Sequence, residues 1–340
     1  MRNSEFLPNI EIRSLSNFAK LTAYTVPILM LLASILAFEK TSDPLVIQGF
    51  VLKETHEFPS MNIIVYLYEH YRFNCPFLYV STKDPHNFFA TTFRTASSDD
   101  SGALNAIEHL ITHSSEKYPV KNLFQELKKG SFATLLTSYS SNEWTAFPFS
   151  TTNSNDFHNI IDVYFDAIFH PLINNATFYS ECHRLEFEEP FDHSTPLHHD
   201  GTVYNEIHDE SLKPNSRFTN LLHENLYPNS ILKNNYHGKP SQLSKLTIST
   251  LKNRHAKYYH PSNALFFYYG SYPIKELLAH ISSAISSFQT SSSPIKENMY
   301  DQPKWTVPHS GVFDGQLDEN TPPERVRASL SWMCGDLRNT

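Results

Sequence analysis

Residues 88–111 read FFATTFRTASSDDSGALNAIEHLI. Phe88–Arg94 is rich in aromatic and β-branched residues, which predicts a strand. The polar run Ser97-Ser98-Asp99-Asp100-Ser101 then supplies hydroxyl and carboxylate caps for a helix starting near Gly102. On that helix positions 105, 108 and 109 are spaced i, i+3, i+4 and share one face. The face carries Asn105, Glu108 and His109. An inverted zinc motif, H-x-x-E-H, needs this spacing: imidazoles one turn apart bind the metal and the Glu between them activates water. With Asn at the first position, the string by itself is a weak signal and describes an ordinary surface helix face better than a metal site.

Outward from this stretch the pattern is α+β. Asn62–Glu69 and Phe77–Ser81 read as strands, with Cys75-Pro76 near the turn between them. Phe124–Lys129 and Asp156–Phe169 have helical spacing, and Phe157, Ile160, Ile161, Tyr164, Phe165 and Ile168 make an apolar stripe on the second. Ser244–Tyr259 reads as a helix broken by Pro261, Ala264–Tyr269 as a strand ending at Gly270, and Ile274–Phe288 as a further helix. Thr290–Pro294 and the Pro-rich stretch Pro303–Pro323 read as an interdomain linker. Ala328–Met333 is strand-like. The domain expectation is therefore 1–40 for targeting, 41–300 for the folded domain, 301–323 for the linker and 324–340 for the first strand of a second domain.

Composition narrows the chemistry. Of 340 residues 40% are hydrophobic, with 25 Phe and 18 Tyr, so large aromatic side chains should carry the core. The net charge of −8 and the lack of clustered Lys and Arg argue against a nucleic-acid groove. Three cysteines (Cys75, Cys182, Cys334) are too few and too scattered for a disulfide framework or a thiolate zinc site, so any zinc must rely on His and carboxylates. Leu21–Phe38 carries no charge and reads as an apolar core for secretory targeting, cleaved or kept as an anchor. It is the one segment expected to touch a membrane, and Asn175-Ala-Thr is a sequon that counts only if secretory entry is real.

Many blocks, in order, carry a resemblance. They include Phe93-Arg94-Thr95, Glu116-Lys117-Tyr118-Pro119-Val120-Lys121, Phe124-x-Glu126-Leu127, Phe147–Ser150 and Asn155-Asp156-Phe157-x-Asn159. Asp162-Val163-Tyr164-x-Asp166-Ala167, Arg184-Leu185-Glu186, Val203-Tyr204-Asn205-Glu206 and Tyr259-His260-Pro261-Ser262-Asn263-Ala264 complete the set. From about Gly49 to its end the chain resembles the presequence-protease branch of the insulinase/pitrilysin family of inverted-motif zinc metallopeptidases. The resemblance implies an α+β domain of the LuxS/metallopeptidase-like type, a mixed, mainly antiparallel sheet with helices on one side, plus the start of a second such domain. It also implies a Zn2+ site at the position of Asn105, at His109 and at Glu206, with Glu108 as catalytic base, and a substrate-pairing edge that maps to Thr137 and Ser138. Its substrates would be unstructured peptides held in a clamshell, here needing a complementary carboxy-terminal half or chain. Family analogy makes mitochondria the alternative to the secretory pathway.

The departures gather at the cleft. Asn105 replaces the first ligand, and a neutral amide oxygen is a poor substitute for imidazole at zinc. His113-Ser114 stands where the family has Cys-Gly, Thr137–Ser140 where it has Asn-Ala-Phe-Thr, and Cys182-His183 where it has Gly-Trp. The expected function is thus a metalloendopeptidase homologue with a degenerate zinc motif, weak or inactive as it stands. The alternatives are a non-catalytic peptide- or partner-binding module and a fragment that needs further domains. A shifted His109/His113 ligand pair is geometrically possible. His198-His199-Asp200 reads as a solvated loop, His260 as a structural turn residue, and Glu206 with Glu210 also as a solvated helix face.

Overall fold

A computed structural model describes residues 45–290, 302–313 and 327–333. In chain order the first strands are β1 (Val46–Ile47), β2 (Phe50–Phe58), β3 (Ile63–His70), β4 (Pro76–Ser81) and β5 (Asn87–Arg94). Helices α1 (Ala103–His113) and α2 (Leu123–Gly130) precede β6 (Ala133–Leu136), β7 (Tyr139–Ser140) and β8 (Trp144–Thr151). Then come α3 (Ser154–Phe169), α4 (Asn175–Glu181), the hairpin β9 (Arg184–Phe187) and β10 (Leu197–Asp200), α5 (Thr202–Leu212) and α6 (Pro214–Leu226). The one-turn α7 (Pro240–Leu243), α8 (Ile248–Tyr258), β11 (Ala264–Gly270) and α9 (Ile274–Ile285) close the order.

Nine strands form one sheet in the order β1-β2-β3-β4-β11-β5-β8-β6, with β7 also on β8. Only β11 against β4 is parallel; the remaining pairs are antiparallel. The α+β class and the mainly antiparallel sheet agree with the sequence reading. On β11 alternate residues Ala264, Phe266, Tyr268 and Gly270 are buried while Leu265, Phe267 and Tyr269 are half-buried. Such alternation means that one face is covered more fully than the other.

Helix α3 supplies most of that cover. Its stripe Phe157, Ile160, Ile161, Tyr164, Phe165 and Ile168 is fully buried, as its 3.6-residue spacing predicts. Asn153 caps the helix by accepting from the Asn155 and Asp156 N–H groups. The Phe89 ring meets Tyr164 and Phe165 edge-on with centroids 5.8 and 5.7 Å apart, and Phe157 meets Tyr268 at 5.8 Å. Tyr164 does more than pack. Its hydroxyl donates to the Phe147 carbonyl at 2.6 Å and accepts from the Thr91 N–H at 2.8 Å. Thr91 and Phe147 are partners across β5 and β8, so one buried phenol ties helix α3 to both strands.

Several boundaries differ from the sequence reading. At the start of α1 the loop supplies a hydroxyl as expected, Ser101 Oγ accepting from Ala103 N–H at 3.3 Å, while Gly102 takes the left-handed region with φ 69°. The expected helix Ser244–Tyr259 starts only at Ile248, because Thr247 caps it by accepting from Thr250 N–H at 3.2 Å. The helix expected to reach Phe288 ends at Ile285. His198-His199-Asp200, expected in a loop, is strand β10 paired with β9. Ala328–Met333 joins no strand ladder among the described residues, and a lone segment cannot satisfy its backbone as a strand. No described helix is long and apolar enough to cross a membrane; Leu21–Phe38 lies outside the described residues.

Two predictions follow from this packing. Tyr164→Phe leaves two buried main-chain groups without their bridge and should cost about 1–3 kcal/mol in urea-denaturation midpoint analysis. Cys75 and Cys182 are buried, and burial pushes both thiols up to about 12. In a Cys334→Ser background, both should therefore resist a thiol-specific disulfide reagent at pH 8 until denaturant is added.

Candidate functional site

Helix α1 sorts its residues by face. Ala103, Leu104, Ala106, Ile107, Leu110 and Ile111 are buried in the core, which turns Glu108 and His109 towards the surface at intermediate exposure. Asn105 shares their face but is itself only 4% exposed. Its Nδ2 is buried and has no hydrogen-bond partner. An unpartnered buried amide costs about 1–3 kcal/mol, so this position carries a side chain its surroundings do not serve.

His109 finds its partner on α5. Its Nε2 lies 3.1 Å from Glu206 Oε2, so the two residues that the sequence reading assigned to one metal are indeed brought together. Burial alone would lower the His109 imidazole, but the Glu206 contact, aided by Glu108 and Glu181, holds it above its ordinary value. Contact with His109 in turn holds the Glu206 carboxyl below its usual range, against the effect of burial. The contact thus favours the charged form of each partner. Glu206 is exposed, as a solvated helix face requires, and Glu210 is partly exposed, bound by Lys213 at 2.6 Å and by the Ser216 hydroxyl.

Glu108 is held by β7. The Ser140 hydroxyl donates to Glu108 Oε2, and Ser140 Oγ also lies 3.3 Å from Thr145 Oγ1 on β8. Thr145 Oγ1 is 2.9 Å from Thr95 Oγ1, both buried. A chain of hydroxyls therefore links the end of β5 to the carboxylate on α1. Thr137 and Ser138 lie between β6 and β7, where the Thr137 N–H donates to Pro148 O at 3.2 Å.

His113 takes no part in this group. It is 6% exposed, and its Nδ1 lies 3.1 Å from Glu181 Oε1, itself nearly buried. Burial would raise the Glu181 carboxyl, yet His113 and Ser180 hold it below its usual value. Two side chains absent from the sequence reading stand near the cleft acids. Burial pushes the Tyr236 phenol up to about 12, with Glu108, Glu210 and Glu206 adding to the rise. Burial also lowers His237, against the pull of Glu206, Glu210 and Glu108. Their loop is pressed onto the start of α1 through two glycines. Gly238 has φ 101°, and a Cβ on it would lie 2.6 Å from Gly102 Cα, so neither position has room for a side chain. Gly238 stands alone in Asn235–Pro240, and nothing in one sequence links it to residue 102.

Zinc can be tested against this donor set. His109 and Glu206 are donors of the right chemistry, but the third position offers an amide whose nitrogen is the buried, unpartnered atom. Among the described residues no group of three or more His, Cys, Asp or Glu side chains is placed to hold a metal ion. The residues present do not complete a hydrolytic zinc site of three protein donors.

Comparison with known proteins places the scaffold. Presequence protease, mitochondrial, of Xenopus tropicalis is 30% identical over 297 residues, covering 86% of this chain and 29% of that protein. Its counterpart in Mus musculus is 32% identical over 298 residues, covering 86% and 28%. The chain belongs to the insulinase/pitrilysin family. It spans less than a third of the length of these curated relatives. Residues 245–336 match the peptidase M16 inactive domain. A crystal structure of pitrilysin superimposes with a TM-score of 0.56 at 18% identity, over 76% of this chain and 26% of that one, which shows a shared fold. Within this scaffold α1 carries residues 105, 108 and 109 on one face, and α5 brings Glu206 to His109.

The two His–Glu pairs separate structural from site roles. Glu181→Ala strands a buried His113 and should cost about 1–3 kcal/mol of unfolding free energy. Glu206→Ala removes a half-exposed partner and should cost about 0–1 kcal/mol. Equal losses from both variants in denaturant titrations would contradict this division.

Proposed function

We propose that this chain is a peptide-binding scaffold of the presequence-protease type whose zinc centre has fallen below hydrolytic competence. One observation carries the reading: Asn105 occupies the first ligand position as a buried, unpartnered amide, while His109 is paired directly with Glu206. That leaves His109 and Glu206 as the strong donors at a position where a hydrolytic zinc site uses three. Glu108, which serves as base where the family motif is complete, is engaged by Ser140. Since no complete metal site supports it here, no hydrolytic step is assigned to this chain.

The binding role rests on what remains. The cleft keeps Glu108, His109 and Glu206 beside β6 and β7, and the named relatives are proteases of presequences. An extended, unstructured peptide lying along Thr137 and Ser138 is the ligand class that this edge would accept. The second reading, a unit that works only with a complementary half, is favoured by coverage of under a third of the relatives' length. For location, the relatives' names support mitochondria over the secretory reading of Leu21–Phe38.

The purified chain should hold less than one equivalent of zinc in the cleft and leave an unstructured fluorogenic peptide uncut. Asn105→His restores an imidazole one turn from His109 and should raise zinc occupancy measured by equilibrium dialysis. No gain in occupancy would mean that the cleft is not assembled as proposed. Metal-dependent cleavage by the unmodified chain that Glu108→Gln abolishes would overturn the inactive reading outright.

A further inference from the structure

A second cluster of imidazoles lies away from the cleft, where α3 packs against α9. His280 on α9 places Nε2 at 3.0 Å from His158 Nδ1 on α3, with the rings crossing at 73° and centroids 4.6 Å apart. The other His280 nitrogen, Nδ1, lies 3.1 Å from Asp162 Oδ1. Asp162 is one turn after His158 on α3, and Glu276 is one turn before His280 on α9. Each helix therefore offers an i, i+4 His–carboxylate pair, and the two pairs face each other. The side chains line an open groove of about 660 Å³. Tyr272 Oη stands 3.5 Å from His158 Nδ1, and Lys117 also reaches the groove wall.

We propose that His158 and His280 form a binding site for a borderline divalent cation such as Zn2+ or Cu2+, with Asp162 orienting His280. Two ring nitrogens 3.0 Å apart can share only one proton, and with His280 Nδ1–H donating to Asp162 the His280 Nε2 is left as an acceptor facing His158 Nδ1. Tetrahedral zinc with Zn–N of about 2.0–2.1 Å needs nitrogens about 3.3 Å apart, a few tenths of an ångström more than observed. His158 is exposed and can turn by that much. A carboxylate on the far nitrogen of a ligating imidazole fixes its tautomer and raises its basicity. Asp162 holds that position, which an ordinary surface histidine lacks. Two imidazoles leave the remaining positions to water, so the site is of the open kind and suits imidazole-seeking metals over calcium or magnesium.

The test uses the full chain carrying His109→Ala, so that the cleft is silenced, and titrates it with ZnCl2 alone by calorimetry. One equivalent should bind. His158→Ala, at an exposed position, and His280→Gln should each weaken this binding at least tenfold with an unchanged circular-dichroism spectrum. Asp162→Asn should weaken it about 10–100-fold. X-ray absorption at the zinc edge should report two imidazole nitrogens. Zinc binding that is absent in the parent chain, or unchanged in folded His158→Ala protein, would overturn the proposal and assign any binding to other histidines.

Discussion

The hydroxyl of Tyr164 sets the geometry on which the cleft depends. By donating to Phe147 O and accepting from Thr91 N–H it joins helix α3 to the β5–β8 pair in the middle of the sheet. The same register sets Phe93 opposite Thr145, and the hydroxyl of Thr95, two residues further on, lies 2.9 Å from Thr145 Oγ1. From Thr145 the hydroxyl contacts pass to Ser140 and on to Glu108. A slip of β8 by one residue would turn Thr145 to the other face and break that link. The Glu108 carboxylate on α1 is thus held by packing across the aromatic core.

What the cleft holds is a compact set of charges that satisfy one another. His109 and Glu206 stabilise each other's ionised forms, and Ser140 binds Glu108. Each charge of the pair keeps a partner, and the Asn105 amide beside them on α1 has none for its Nδ2. The scaffold survives, since the apolar side of α1 and the Gly102–Gly238 contact do not involve the missing imidazole.

Much of this was legible in the chain. The stripe on Asp156–Phe169 and the strands around residues 62–94 followed from hydrophobic periodicity, since that signal is local and strong. The i, i+3, i+4 placement of residues 105, 108 and 109 followed from helical geometry alone. Pairing of His109 with Glu206 needed the family resemblance, because residues so far apart share no local pattern. Three features stayed hidden for physical reasons. The start of α8 depended on Thr247 outcompeting neighbouring caps. The approach of Tyr236 and His237 depended on two glycines from distant segments meeting. The His158–His280 pair required α3 and α9 to pack side by side, which no motif encodes.

The central claim is that His109 and Glu206 pair with each other in place of zinc. Crystals of the full chain equilibrated with micromolar zinc and measured at the zinc absorption edge test it most directly. The account predicts no anomalous peak between His109 and Glu206, with Nε2 and Oε2 remaining at hydrogen-bonding distance. A strong peak there, ligated by His109, Glu206 and the Asn105 amide oxygen, would contradict it.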